Sequence, residues 1–358
     1  MEAAASGWRW QHACGGQLDI IHALEGWSLP DLRTDRRFDI TRYQTLLPVS
    51  EPPPVHVGWT PIWSHLIAGG RVEFKLEYLS AGGSFKDRGA YVALARAREL
   101  GARQVVIDSS GNAAISHALL APLFGIEAHV YLPRWAAEGK KALLRLLGAR
   151  MHEVEGDRME VNRRALAAQR DDALYVGHWW NPYFIEGVKT IAYEAVEQCG
   201  AFDAVVVPVG SGTLLLGIFK GCRELVQLGG LTGLPRFVGV QASGYDPVAQ
   251  AFGQQGQAGA PSRLAEGIAI EDPPRREQIV EAIRATKGSA VVVSDEDIRR
   301  ALDELIGLGF LVEPTSAVGY AGLHKALELR ILDRGSRILV PLTGSGFKIA
   351  AELAALRR

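Results

Sequence analysis

Ala204-Val205-Val206-Val207-Pro208-Val209-Gly210-Ser211-Gly212-Thr213-Leu214 decides how this chain is read. An unbroken apolar run meets a proline, passes through a Gly/Ser/Thr turn and enters a helix-like stretch. Continuous runs of β-branched residues suit strands buried on both faces, as in a parallel sheet. The same unit recurs outward in both directions. Val105-Val106-Ile107 leads into Asp108-Ser109-Ser110-Gly111-Asn112 and a helical pattern. Ile338–Leu342 ends in Thr343-Gly344-Ser345-Gly346, Ala128–Leu132 stops at Pro133, and Phe237–Val240 is a further run. Helices are predicted between the runs, among them 137–147 and 295–306. The second has Ser294 as candidate N-cap with Asp297 three residues on, and Ile298, Leu302, Leu305 and Ile306 share one face. The predicted class is α/β, with two domains of parallel-rich open sheets covered by helices.

The length, 358 residues, suits two domains at roughly 100–200 residues each. Residues 1–50 read as an N-terminal extension, closed by Pro52-Pro53-Pro54. Lysine plus arginine number 39 against 40 acidic residues, so no basic excess calls for a nucleic-acid partner. Cys14, Cys199 and Cys222 are odd in number and dispersed, which predicts a reduced, cytoplasmic setting. Met1-Glu2-Ala3 shows neither a basic nor an apolar leader region. The longest apolar run, Val205–Phe219, is broken by Pro208, Gly210 and Gly212, so no membrane span is expected.

Several site types are excluded by spacing. No G-x-x-x-x-G-K-[ST], G-x-S-x-G or H-E-x-x-H occurs. Gly210-Ser211-Gly212-Thr213-Leu214-Leu215 lacks the third glycine of a dinucleotide loop, and no acid ends a strand about 20 residues later. Cys14 has no second cysteine nearby, and no metal site is expected. Yet glycine numbers 40, above the usual ~7%, and three Gly/Ser/Thr turns follow strand ends. Ligands bind at the carboxyl ends of parallel strands. Together the turns point to one anionic small-molecule ligand.

Ser84-Phe85-Lys86-Asp87-Arg88-Gly89 adds a lysine. Gly82-Gly83 precedes it and a helical pattern, Tyr91–Leu100, follows. Lys86 is expected in the first helical turn, where the dipole disfavours a cation. Burial would depress its pKa further. A partly neutral lysine is what Schiff-base chemistry requires. Gly210–Leu214 could wrap backbone N–H groups around a phosphate. A lysine plus a phosphate cradle suggests pyridoxal 5′-phosphate (PLP).

From about Gly58 to Lys348 the chain resembles the fold-type II PLP enzymes, the tryptophan synthase β family, and within it the threonine synthases. Thr60-Pro61 matches the T-P opening, and Ser84–Gly89 matches the specific S-F-K-D-R-G motif. Ser110-Gly111-Asn112 matches S/T-G-N. Asn181-Pro182 with Glu186-Gly187 and Lys189-Thr190 matches N-P…E-G-x-K-T. Glu313-Pro314-Thr315-Ser316-Ala317 and Leu342-Thr343-Gly344-Ser345-Gly346 resemble E-P-[AST]-S-A and L-T-G-x-G.

The resemblance implies a PLP-dependent lyase acting on an amino acid by β/γ-elimination or replacement. The alternatives are a threonine/serine ammonia-lyase or a β-replacing synthase such as cysteate synthase. A non-enzymatic small-molecule-binding regulator is disfavoured by the retained Lys86, Asn112 and Thr343. It implies a large cofactor-binding domain from 51–90 and 195–358, a small substrate-gating domain from 91–194, and a homodimer. Lys86 becomes the Schiff-base lysine and proton carrier. Asn112 would meet the ring hydroxyl, Gly210, Ser211, Gly212, Thr213 and Leu214 the phosphate, and Thr343 the pyridine nitrogen, with Ser345 as an alternative. Ser109, Ser110 and Gly111 would receive the substrate carboxylate. His178 and Trp179, with Trp180, line the substrate pocket or form an aromatic core cluster.

One segment departs from the family. Threonine synthases carry N-S-x-N-P-x-R, which helps bind the phosphate of O-phosphohomoserine. Here His178-Trp179 replace the Asn-Ser pair, Phe184 replaces the arginine, and Ala113 replaces the threonine often found after S/T-G-N. A dianion calls for arginine and hydroxyl donors. The expected substrate is therefore not phosphohomoserine, although Lys189 and Arg263 could also supply charge.

Overall fold

The structure is a computed structural model, and it describes residues 7–30, 35–50, 52–136, 138–256 and 260–356. The Met1-Glu2-Ala3 start and position 137 of the first predicted helix lie outside them. Two compact units form. One gathers Met1–Ala23, Arg37–Val57 and Lys86–Gly187, the other Leu24–Arg36, Gly58–Phe85 and Val188–Arg358.

The strands in chain order are β1 (Ile62–Ile67), β2 (Gly70–Lys75), β3 (Gln104–Asp108), β4 (Glu127–Pro133), β5 (Arg150–Val154), β6 (Ala173–Tyr175), β7 (Ala204–Pro208), β8 (Arg236–Ala242), β9 (Ser289–Val293) and β10 (Arg337–Pro341). The helices are α1 (Lys86–Glu99), α2 (Asn112–Leu120), α3 (Glu138–Leu146), α4 (Arg158–Ala167), α5 (Pro182–Cys199), α6 (Thr213–Gln227), α7 (Pro247–Gln250), α8 (Arg276–Ala285), α9 (Asp295–Gly307), α10 (Pro314–Glu328) and α11 (Ala350–Leu356). The α/β class holds, and each predicted apolar run is a strand.

The first unit carries a four-stranded parallel sheet in the order β5-β4-β3-β6. Val105, Ile107, Val130 and Leu132 are buried against Ala90, Tyr91 and Leu94 of α1 and Ala114 and Ala118 of α2. Ile40, Leu47 and Val57 join the same core. Each such side chain gives roughly 1.5–3 kcal/mol when fully buried. β3 ends at Asp108, three residues turn, and α2 begins at Asn112.

The second unit carries a six-stranded sheet, β1-β2-β10-β7-β8-β9. Only the β1–β2 hairpin is antiparallel. All five residues of β7 are buried, because helices must cover both faces of a parallel sheet. Val206, Val240 and Val340 share a core with Ala317 and Leu323 of α10. β7 ends at Pro208 and delivers the chain through 209–212 to α6. The predicted N-cap of α9 is present: Asp297 N–H donates to Ser294 Oγ at 3.2 Å, and Ser294 N–H donates to Asp297 Oδ2 at 2.9 Å.

Candidate functional site

Lys86 is the first residue of α1 and is half-buried. One turn on, a Cβ at Gly89 would lie 2.4 Å from the Phe184 ring. Glycine there lets the ring rest on the first turn of α1. Lys86 Nζ consequently stands 5.5 Å from the centroid of Phe184, within cation–π range. Two imidazoles flank the same ring. His117 of α2 lies nearly parallel to it at 6.3 Å and 21°, and His178 is tilted at 5.5 Å.

His117 is fully buried. Its Nδ1 lies 2.8 Å from the Ala113 carbonyl. A carbonyl only accepts, so Nδ1 carries the proton and Nε2 presents a lone pair. That Nε2 is buried and has no hydrogen-bond partner among the described residues. Burial, with the Lys86 charge, holds the His117 pKa down at about 4, against the bond to Ala113. Burial first, then the Lys86 charge, puts His178 well below the usual imidazole range. Both rings are neutral at pH 7.

The 109–111 turn opens α2. Gly111 caps the helix without a side-chain bond, and its N–H donates to Ser109 Oγ at 3.2 Å. The first amides of α2 have no helical acceptor, and the dipole favours an anion. A carboxylate fits there. Behind the turn, Tyr175 Oη–H and Asn162 Nδ2 donate to Asp108 at 2.7 and 2.8 Å. Trp179 lies under the Arg158 guanidinium, 5.9 Å away.

In the second unit, Gly212 caps α6 with φ +83° in the left-handed region. A Cβ there would lie 2.3 Å from Ile279 Cδ1. The first helical bond runs from Leu216 N–H to the Gly212 carbonyl, 2.9 Å, so the amides of Thr213, Leu214 and Leu215 have no helical acceptor. Ser211 Oγ and Thr213 Oγ1 are 3.3 Å apart and buried. This donor set fits a phosphate.

Thr343 follows β10. Its N–H donates to Ser316 Oγ at 2.7 Å, and its carbonyl accepts from Phe85 N–H at 3.1 Å. Its hydroxyl is buried with no partner among the described residues. Ser345 Oγ, by contrast, accepts from Phe347 N–H at 3.3 Å. A held but unanswered hydroxyl suits a ring nitrogen. The phosphate cradle and this hydroxyl therefore fit PLP. No group of three or more His, Cys, Asp or Glu that could hold a metal occurs among the described residues.

The sequence reading did not single out His117. It lies in an apolar helical stretch without a motif, and only its burial and its bare Nε2 mark it. Phe184 was visible there solely as a missing arginine.

The family of pyridoxal-phosphate dependent enzymes matches residues 54–344. The threonine synthase of Methanocaldococcus jannaschii is 33% identical over 356 residues, covering 94% of this chain and 87% of the relative. That of Mycobacterium tuberculosis is 35% identical over 328 residues, covering 86% and 88%. A solved L-serine ammonia-lyase from Rhizomucor miehei superposes with TM-score 0.72 at 21% identity, covering 86% of this chain and 99% of that one. Maize serine racemase gives 0.70 at 24%, covering 83% and 91%; both speak to the fold. With a matched family region spanning most of its length and threonine synthases similar over nearly all of it, the chain belongs to the fold-type II PLP-dependent enzymes, and PLP is its cofactor.

Proposed function

We propose that the chain is a lyase that eliminates or replaces a β- or γ-substituent of an amino acid, and that its leaving group is not a phosphate dianion. The observation that carries this is the ring cluster beside Lys86. Phe184 and two neutral imidazoles cluster beside Lys86, and none of them is among the fixed cations a dianion calls for. The two other cations weighed for that role do not supply them. Lys189 is fully buried in an ion pair with Glu224 at 3.1 Å, and Arg263 is solvent-exposed.

Bound PLP supplies the electron sink for the carbanion at the substrate α-carbon. Lys86 holds the cofactor and, once released as an amine, carries the α-proton. Ser109, Ser110 and Gly111 receive the substrate carboxylate at the start of α2, and Asn112 meets the ring hydroxyl. Gly210, Ser211, Gly212, Thr213 and Leu214 bind the phosphate. Thr343 meets the ring nitrogen with a neutral hydroxyl, so the sink is weaker than one paired with a carboxylate. That favours elimination and replacement over transamination. His178 and Trp179 face the reacting side chain. A homodimer and a cytoplasmic setting belong to the same proposal.

The test is a substrate screen on purified, PLP-loaded protein with free, O-acyl and O-phospho amino acids. The visible absorption should shift with a true substrate. A keto acid as product identifies an ammonia-lyase; a new amino acid identifies a synthase, of the cysteate synthase kind if the replacement is at the β-carbon. Efficient formation of threonine from O-phosphohomoserine would overturn the proposed leaving-group preference.

A further inference from the structure

Among the described residues, the buried Nε2 acceptor of His117 is unanswered. Buried side-chain polar atoms are almost always hydrogen-bonded, and a histidine that served packing alone would satisfy both nitrogens. Here Ala113 fixes the tautomer through Nδ1, and Nε2 has no partner among the described residues. The Asp87 carboxylate takes the Ser116 hydroxyl at 2.5 Å. The Arg158 guanidinium lies over Trp179. His178 is neutral. Lys86 is the cation whose field reaches His117, and its Nζ already stands over the ring on which His117 stacks.

We propose that His117 and Phe184 form a seat for the protonated Lys86 amine: Nζ rests on the Phe184 face and donates a hydrogen bond to His117 Nε2. His117 is thereby a positioning residue for the lysine. This rests on the reading of Lys86 as the proton-carrying amine. When the free amine takes the α-proton it becomes an ammonium, and an ammonium partly removed from water is stabilised by an acceptor and by an aromatic face. Seating the ammonium moves no proton to His117, so no N–H bond is broken in that step, and Nζ keeps the proton until it is passed on.

The test measures the Lys86 amine pKa in the full-length, PLP-free protein, from the rate of modification by acetic anhydride across pH, read by peptide mass spectrometry. Neutral His117 contributes no charge above pH 7, so His117→Phe removes only the acceptor. It should lower the Lys86 pKa by about one unit, a tenfold change. His117→Gln, whose amide oxygen accepts, should restore the native value, and Phe184→Leu should lower it. Each variant is also loaded with PLP and inspected for visible absorption. An unchanged pKa in His117→Phe and Phe184→Leu overturns the seat, as does a fall in His117→Gln equal to that in His117→Phe. Failure of the native protein to gain visible absorption with PLP would instead refute the reading of Lys86 beneath it.

Discussion

Replacing Thr343 by valine should move the PLP-free and PLP-loaded proteins in opposite directions. Valine keeps the branched shape and removes only the hydroxyl. In the PLP-free protein that hydroxyl is buried and has no partner among the described residues, which costs roughly 1–3 kcal/mol. The backbone bonds of Thr343 to Ser316 and Phe85 survive the change. The PLP-free variant should therefore melt a few degrees higher, at about 2–4 °C per kcal/mol for chains somewhat shorter than this one. With PLP bound, the same hydroxyl is expected to meet the ring nitrogen, and valine forfeits that bond. Relief of the free form and loss in the loaded form act together on affinity. PLP should bind at least roughly tenfold more weakly, about 1.4 kcal/mol or more. Thermal melts of both forms and a PLP titration followed by visible absorption measure the two effects. A lower melting point without PLP, together with unchanged affinity, would refute the assignment of this hydroxyl to the cofactor.

Other variants test other parts. Gly212→Ala places a Cβ 2.3 Å from Ile279 Cδ1 at φ +83°, so it should cost at least about 1–2 kcal/mol from the left-handed backbone alone and weaken PLP binding, both readable by denaturation and titration. His117 has a folded pKa of about 4, below the usual 6.5. As pH falls the unfolded chain takes the proton first, so stability is full above about 6.5 and drains away down to about 4, by about 3 kcal/mol in all. His117→Phe should lose that share of the acid sensitivity in denaturation at pH 7 and pH 4. Ser294→Ala breaks the capping box of α9 and should cost about 1 kcal/mol while leaving PLP affinity as it was.

The central strands were legible because burial on both faces writes itself as unbroken apolar runs, as in β7 and β3. Strands at the sheet edges were not. β5, Arg-Met-His-Glu-Val, has partly exposed residues and reads as polar, and β1 exposes Trp63 and Leu66, which breaks any alternation. The stretch before Pro52 carries charge and no clean period, yet Ile40, Tyr43 and even Arg42 are buried. Turn residues at strand ends were legible because glycine and hydroxyl residues gather there, and those after β3 and β7 open α2 and α6. His117 was not, because its neighbours in α2 are apolar and its distinction is a missing contact. An absence of that kind exists only in three dimensions.

Borohydride reduction tests the role of Lys86 most directly. PLP-loaded native protein is reduced, digested and mapped by mass spectrometry. One phosphopyridoxyl group should be found, on the peptide that contains Lys86, and Lys86→Ala should carry none. A group fixed instead on Lys75, Lys189 or another lysine, or no group at all, would contradict it.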